Sequence, residues 1–137
     1  MRVLLDTNVL VSAILFGGVP RSLLEHGIRG ELDLVTSPAL MDELEELLHR
    51  KFGFPAEAAR QVRAELELLA DVVRPKVVPR VLRDRDDDEV LAAALTGDAE
   101  VIVTGDNDLL EVGSHRGVQI LPPRDFLNLA DPHENQE

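Results

Sequence analysis

The chain has 137 residues and a formal net charge of −12, and its composition is 45 % hydrophobic with phenylalanine as the only aromatic residue type. This length predicts one domain whose hydrophobic core is large enough to be stable without disulfides or a structural metal. The absence of cysteine excludes disulfides, thiolate catalysis and zinc–thiolate sites. The acidic balance argues against a general nucleic-acid coat protein, and the lack of a long apolar run or a signal-peptide pattern leads us to expect a soluble, cytoplasmic protein with no membrane contact.

Short apolar runs alternate with helical patterns along the chain, which predicts an α/β fold with three layers (α/β/α) and a central, mostly parallel sheet of four to five strands. The predicted strands are residues 2–5, 32–35, 101–103 and 118–121, with 72–73 or 77–78 as a further strand or an extended connector. The predicted helices are residues 8–15, 21–28, 38–50, 55–69, 87–95, 107–110 and 122–127. We expect residues 1–130 to form one domain and residues 131–137 to form a polar tail.

Two of the predicted strands end in acids rather than in an ordinary turn. Asp6 follows the first strand, and Asp106 and Asp108 follow the strand at 101–103. Ligands of open α/β sheets bind beyond the carboxyl ends of the strands. Acids gathered there repel one another unless a cation lies between them, and hard cations such as Mg²⁺ choose oxygen ligands. The pattern therefore indicates a site for a divalent cation and a phosphate-bearing substrate.

Each of these acids also has a purely structural interpretation. Asp is a good helix N-cap, and a helix is predicted directly after Asp6. Thr7 and Asn8 can cap equally well, which would leave Asp6 free to face a cleft. Asp106 can cap the short helix that follows it, and the hydroxyl of Thr104 can orient a carboxylate or a water through a hydrogen bond.

Helix geometry selects one acid from the helix that begins with Ser37 as N-cap and Pro38 at its first position. At a rotation of about 100° per residue, Glu43 lies roughly 40° from Leu47, at the border of the buried stripe. Asp42 and Glu46 fall on the solvated side. Glu43 is therefore the acid of this helix that is best able to reach a site beside the core.

The acidic run at residues 84–88 precedes another apolar stripe, which begins at Val90. Acids in the first turn of a helix are favoured by its dipole, so the run alone has a structural explanation. Measured against the stripe, however, Asp87 falls near the centre, Asp88 lies at one edge and Asp86 points outward. A buried charge must cap, pair or bind a ligand. Asp87 is the preferred site residue, with Asp88 as the alternative.

With these residues identified, the chain resembles the PIN-domain proteins, a family of metal-dependent ribonucleases that includes many toxins of prokaryotic toxin–antitoxin pairs of the VapC type. The resemblance covers the chain from Val3 to about Phe126 and depends on the order and spacing of four short motifs. These are Leu5-Asp6-Thr7-Asn8, the helix after Ser37-Pro38 with its inward Glu43, the acidic run at 84–88 that leads into residues 90–95, and the segment at 102–110, which contains Asp106 and Asp108.

The resemblance implies a catalytic role in RNA phosphodiester hydrolysis for four acids, which are Asp6, Glu43, Asp87 and Asp106. These acids would hold one or two Mg²⁺ or Mn²⁺ ions, with Asp108 as a candidate fifth ligand and Asn8 and Thr104 as supporting residues. It also implies a role as the toxin of a type II pair, a separately encoded antitoxin as partner, and a homodimer. Arg21 and the Arg50-Lys51 pair are candidate contacts for RNA phosphates.

Other interpretations compete with this one. A haloacid-dehalogenase-type site would require a second acid two residues after Asp6, and Asn8 occupies that position. The non-enzymatic alternative is a catalytically silent PIN-like module that binds a partner or acts as a scaffold. Thermal protection by added metal would separate the two, because a carboxylate-lined site is stabilised by a cation that binds only the folded state.

Overall fold

A six-stranded sheet forms the centre of the molecule in the computed structural model, which describes residues 1–130. Its strands are β1 (Arg2–Leu5), β2 (Asp33–Thr36), β3 (Asp71–Val72), β4 (Val101–Val103), β5 (Ser114–His115) and β6 (Val118–Leu121). The strand order is β3-β2-β1-β4-β6-β5, with every pairing parallel except that of β5 with β6. From β1 the chain first builds outward through β2 and β3, and then crosses to β4 on the other side. The β1–β4 pair is therefore the switch point at which open α/β sheets place their ligands.

The helices cover both faces of this sheet. They are α1 (Thr7–Leu15), α2 (Gly18–Ile28), α3 (Pro38–Glu46), a π-helical turn (Leu47–Lys51), α4 (Ala56–Leu69), α5 (Arg85–Thr96), α6 (Asn107–Val112) and α7 (Pro123–Ala130). Side chains of β1 alternate between the two faces, as a strand requires. Val3 and Leu5 belong to the core shared with α1, α2, α4 and α7, whereas Leu4 belongs to the core shared with α5 and α6. The three-layer α/β/α prediction is confirmed.

The observed elements differ from the predicted ones mainly at their ends. The sheet has six strands instead of four to five, because the two-residue β5 adds an antiparallel edge that has no apolar pattern of its own. Of the two candidate segments at 72–73 and 77–78, the strand forms at the first, as β3. Helix α2 begins at Gly18, before Pro20, and α5 begins at Arg85 because Asp84 caps it. The predicted tail at 131–137 lies outside the described residues.

The start of α3 follows its sequence signal. Ser37 is the N-cap, its hydroxyl accepts a hydrogen bond of 3.4 Å from the backbone N–H of Leu40, and Pro38 occupies the first helical position. Among residues 1–130 no single helix is long and apolar enough to cross a membrane, although the pair α1 and α2, bent by 99°, would pass that test by length and composition alone.

Candidate metal centre

Asp6 and Thr104 lie side by side because their strands are in register. Leu5 pairs with Val103 in the parallel β1–β4 ladder, so the next residue of each strand leaves the sheet at the same edge. The backbone N–H of Asp6 donates to the carbonyl of Val103 at 3.0 Å. The hydroxyl of Thr104 donates to Oδ2 of Asp6 at 2.7 Å, and both residues are buried.

Asp6 is also the N-cap of α1, where its Oδ1 accepts a hydrogen bond of 2.7 Å from the N–H of Thr7. Thr7 and Asn8 both lie within the helix, so neither replaces Asp6 as the cap. Burial raises the pKa of Asp6, whereas the hydrogen bonds from Thr104 and Thr7 lower it. The structural interpretation of Asp6 is therefore compatible with the functional one: one carboxylate oxygen caps the helix, and the other accepts from Thr104 at the strand ends.

Thr104 links Asp6 to the acids after β4. Its Oγ1 accepts a hydrogen bond of 3.0 Å from the backbone N–H of Asp106. Asp106 caps α6, with its Oδ1 accepting from the N–H of Asp108 at 2.8 Å. Each hydrogen bond fixes the next residue, so Thr104 orients the acids on both of the central strand ends.

Asp87 completes the most compact group of acids. Carboxylate oxygens of Asp87, Asp106 and Asp108 all lie within 4.8 Å of one another. Asp87 is 5 % exposed, and within the described part of the chain its buried Oδ2 has no hydrogen-bond partner. Burial raises the pKa of Asp87 to about 7, with the neighbouring carboxylate of Asp106 as the next cause. A buried carboxylate oxygen without a partner lowers the stability of the fold, and a bound cation would supply the partner that this atom lacks.

Glu43 lies beside this group and not within it. It is half-buried on α3, which packs against α5. Burial raises the pKa of Glu43 to about 7, and the negative charges of Asp86, Asp6 and Asp84 add to that rise. A cavity of about 260 Å³ opens next to it, and its wall consists of Glu43, Glu46, Leu47, Arg50, Lys51 and Asp86. Glu43, on α3, is therefore close enough to the acids of the site to interact with them electrostatically.

The structure separates Asp87 from Asp88, which the sequence left as alternatives. Asp88 is 2 % exposed, and its Oδ1 accepts hydrogen bonds from the backbone N–H groups of Val81 at 3.0 Å and Leu82 at 2.8 Å. Its carboxylate is therefore engaged with the preceding loop, whereas Asp87 faces Asp106. Among these two acids, Asp87 is the one in the cluster.

Asp86 and Asp84 are close to the site although the sequence analysis assigned Asp86 to the solvent side. Asp86 is exposed, yet its charge is the largest electrostatic influence on Glu43 after burial. The apolar stripe of α5 predicts only which residues contact the sheet. It does not predict the contacts of α5 with α3, which packs against the side of the same helix. The run of acids at 84–88 indicated a site nearby, but it did not predict which way each side chain points.

Of the cations suggested for phosphate contacts, Arg21 has a structural role. Its guanidinium donates to the carbonyl oxygens of Ala13 at 2.9 Å and Ile14 at 3.1 Å, at the C-terminal end of α1. Arg50 and Lys51 are exposed and line the cavity beside Glu43, where Arg50 also forms an ion pair of 3.5 Å with Glu46. The supporting residue Asn8 is exposed in the first turn of α1.

The donor set fits a hard divalent cation. The site offers carboxylate oxygens from Asp6, Asp87, Asp106 and Asp108, with the Glu43 carboxylate beside them and the hydroxyl of Thr104, and such a set of oxygen donors suits Mg²⁺ or Mn²⁺ better than a soft metal. Oδ2 of Asp87 has no hydrogen-bond partner among the described residues, and burial, followed by the neighbouring carboxylates, raises the pKa values of Asp87 and Glu43, which a bound cation would lower.

Comparison with known proteins points to one family. A protein-family model described as PIN domain matches residues 2–108, a range that contains all five acids. Among solved structures, the chain is similar to a chain of the "Crystal structure of VapBC2 from Rickettsia felis bound to a DNA fragment from their promoter", with 14 % identity and a TM-score of 0.60. The match covers 88 % of this chain and 97 % of that chain, and at this identity it shows a shared fold. No curated protein matches the chain.

Proposed function

Since the chain belongs to the PIN domain family, we propose that it is a metal-dependent endoribonuclease that hydrolyses RNA phosphodiester bonds. The observation that supports this most strongly is the convergence of the Asp87, Asp106 and Asp108 carboxylates within 4.8 Å, with one buried oxygen of Asp87 left without a partner. Asp106 and Asp108 are close because they share the start of α6, but Asp87 comes from α5, and electrostatic repulsion opposes its approach to them.

The proposed catalytic residues are Asp6, Glu43, Asp87 and Asp106, which would hold Mg²⁺ or Mn²⁺ together with Asp108. A bound divalent cation would polarise the scissile phosphate, lower the pKa of an attacking water and stabilise the leaving oxygen. Thr104 keeps the Asp6 carboxylate oriented by donating to it. In the metal-free chain burial raises the pKa of the half-buried Glu43 to about 7, and a cation held beside it would lower that pKa and keep the carboxylate ionised.

Asp6→Asn tests this proposal, because it keeps the shape of the side chain and removes its charge. We expect metal-dependent cleavage of a fluorogenic RNA to fall by at least 100-fold, an order of magnitude typical for the loss of an essential acid or ligand. Asp98→Asn is the matched control, since Asp98 is exposed beyond the far end of α5 and Asn tolerates its positive φ of 52°. Cleavage that survives Asp6→Asn would refute the proposed centre.

The silent-module alternative makes a different prediction for the same samples. A partner-binding module without activity would show no RNA cleavage with either Mg²⁺ or Mn²⁺ and no thermal stabilisation by them. Stabilisation by metal without cleavage of any RNA would support a metal-binding module and would refute the nuclease. The two measurements together therefore distinguish the two functions.

We further propose that the chain is the cytoplasmic toxin of a type II pair and binds a separately encoded antitoxin. The support is the fold similarity to a chain of VapBC2, which in its own structure is bound to a promoter DNA fragment. Growth arrest on induced expression, abolished by Asp6→Asn, would be the expected result.

We also propose a homodimer that forms through the early helices, because Phe16, directly after α1, is 74 % exposed. Phe16→Ser should shift the mass measured by light scattering to that of a monomer.

A further inference from the structure

The connection between β3 and α5 has a charge opposite to that of the rest of the chain. Residues 74–85, called the basic segment below, contain five of the 14 Lys and Arg residues and a single acid, in a chain with a net charge of −12. The five cations are Arg74, Lys76, Arg80, Arg83 and Arg85, and all are exposed. Within residues 1–130 none of them forms an ion pair, and Arg85 donates only to the carbonyl oxygen of Val78 at 2.9 Å.

The basic segment begins and ends at the carboxyl edge of the sheet. Just before it, the N–H of Val73 donates to the carbonyl oxygen of Thr36, the last residue of β2, at 2.8 Å. At its other end Asp84 caps α5 and is close enough to Glu43 and Asp87 to influence both electrostatically. A long connection with no regular structure of its own is usually functional, and this one leads directly to the candidate metal centre.

Asp88 fastens the basic segment to the helix that carries the site. Its Oδ1 accepts hydrogen bonds from both the Val81 and the Leu82 N–H groups. Two backbone N–H groups that converge on one buried oxygen hold this part of the segment against α5. Asp88 is adjacent to Asp87, and the position of the cations is therefore coupled to that of the acidic cluster.

We propose that the basic segment binds the sugar–phosphate backbone of the RNA strand that enters the metal centre, and that Asp88 is the residue that positions it. This inference rests on the proposed RNA substrate. A polyanion approaching a strongly acidic centre needs compensating positive charge close by, and exposed Arg and Lys residues without acidic partners supply it. An acidic polypeptide could use the same charges, but the adjacent site is built for a phosphodiester, which favours RNA.

The test compares two double variants of the full chain. Arg80→Gln with Arg83→Gln removes two charges, whereas Arg80→Lys with Arg83→Lys retains them. Affinity for a fluorescent oligouridylate is measured in EDTA over a series of salt concentrations. We expect the Gln pair to weaken binding about tenfold and to reduce the slope of log K against log salt by about 1.4, and the Lys pair to stay within about twofold of the parent.

Asp88 is tested by Asp88→Ala, with Asp88→Asn as the conservative variant that keeps the accepting oxygen. If Asp88 positions the basic segment, Asp88→Ala weakens RNA binding and raises KM several-fold with little change in kcat, even though it removes a negative charge. Asp88→Asn restores both values. A purely structural role would lower the active fraction, and so kcat, without changing the KM. The Arg variants keep the proposal testable if Asp88→Ala does not fold.

Each outcome decides one of the two proposals. Equal RNA affinity of the Gln pair and the parent overturns the role of the basic segment, while RNA cleavage by both leaves the nuclease intact. RNA binding that depends on the segment, without cleavage in any metal, supports the segment and refutes the nuclease. Binding of a poly-glutamate peptide through Arg80 and Arg83 with no measurable affinity for RNA assigns the surface to an acidic polypeptide and overturns the inference.

Discussion

Asp87→Asn should make the metal-free protein more stable at alkaline pH while abolishing its response to metal. In the folded chain the pKa of Asp87 is raised from the usual 3.8 to about 7, mainly by burial and next by Asp106. A group with a raised pKa contributes stability that is fully present below its unfolded pKa and is lost as the pH rises through the folded pKa. The metal-free parent is therefore expected to lose stability between about pH 4 and pH 7, and Asp87→Asn removes this loss.

The size of the effect follows from the pKa shift. One unit corresponds to about 1.4 kcal/mol, so a shift of roughly three units has an upper limit of about 4 kcal/mol. Because the cluster has an exposed member in Asp108, solvent screening reduces this, and we expect about 2 kcal/mol at pH 8. For a chain of this length that is a rise in Tm of roughly 6 °C.

The assay is thermal unfolding in EDTA at pH 5 and pH 8, followed by titration with Mn²⁺ at pH 8. Asp87→Asn should melt higher than the parent at pH 8, differ little from it at pH 5, and gain nothing from Mn²⁺, whereas the parent is stabilised by the metal. Asp98→Asn makes the same change of net charge at an exposed position and should follow the parent throughout. A lower Tm for Asp87→Asn at pH 8, or a Mn²⁺ response equal to that of the parent, would refute the reasoning.

Three further substitutions test other parts of the structure. Thr104→Val keeps the side-chain shape but removes the hydroxyl that donates to Asp6 at 2.7 Å, so Mn²⁺ affinity measured by titration should fall about tenfold, and an unchanged affinity would contradict the orienting role. Because burial raises the pKa of Glu43 to about 7, the metal-free Glu43→Gln variant should have a higher Tm than the parent at pH 8 and a similar Tm at pH 5. Identical melting profiles of the two proteins at both pH values would contradict the raised pKa. Gly27→Ala places a Cβ 2.5 Å from Cδ1 of Leu34 and should cost about 1–3 kcal/mol in chemical denaturation, with an unaltered midpoint as the contrary result.

The two strand ends that carry acids were predictable because each follows a short apolar, β-branched run. The alternation of Val3, Leu4 and Leu5 between two cores is the period of two that such a strand must have when helices cover both faces. What the sequence does not contain is the register. The pairing of Leu5 with Val103, which brings Asp6 beside Thr104, depends on residues almost 100 positions apart and on the packing of the whole sheet.

Helix periodicity predicted Asp87 near the centre of the apolar stripe and Glu43 at its border, and in the structure Asp87 is buried and Glu43 half-buried, but periodicity could not assign their neighbours. Asp88 was assigned to the edge of the stripe, and it is buried because the basic segment covers it and supplies two N–H donors. Asp86 was assigned to solvent, and it is exposed yet adjacent to Glu43. A helical wheel describes one face against one neighbour, whereas α5 contacts the sheet, α3 and a long loop at once.

The tolerance of so many acids at one place has a physical explanation in the helix ends. Asp6, Asp84 and Asp106 are the N-caps of α1, α5 and α6, and each accepts a backbone N–H at a helix terminus that carries partial positive charge. A structural cap and a metal-binding acid are therefore not competing interpretations, because the cap stabilises the charge that a cation would bind. Asp87 and Glu43 have no such cap hydrogen bond, and burial raises their pKa values to about 7, whereas hydrogen bonds from Thr104 and Thr7 oppose the rise in the pKa of Asp6. The electrostatic benefit of a bound cation should consequently be largest at these two residues, which makes them, and not the capping acids, the positions where neutralisation by mutation best imitates the metal.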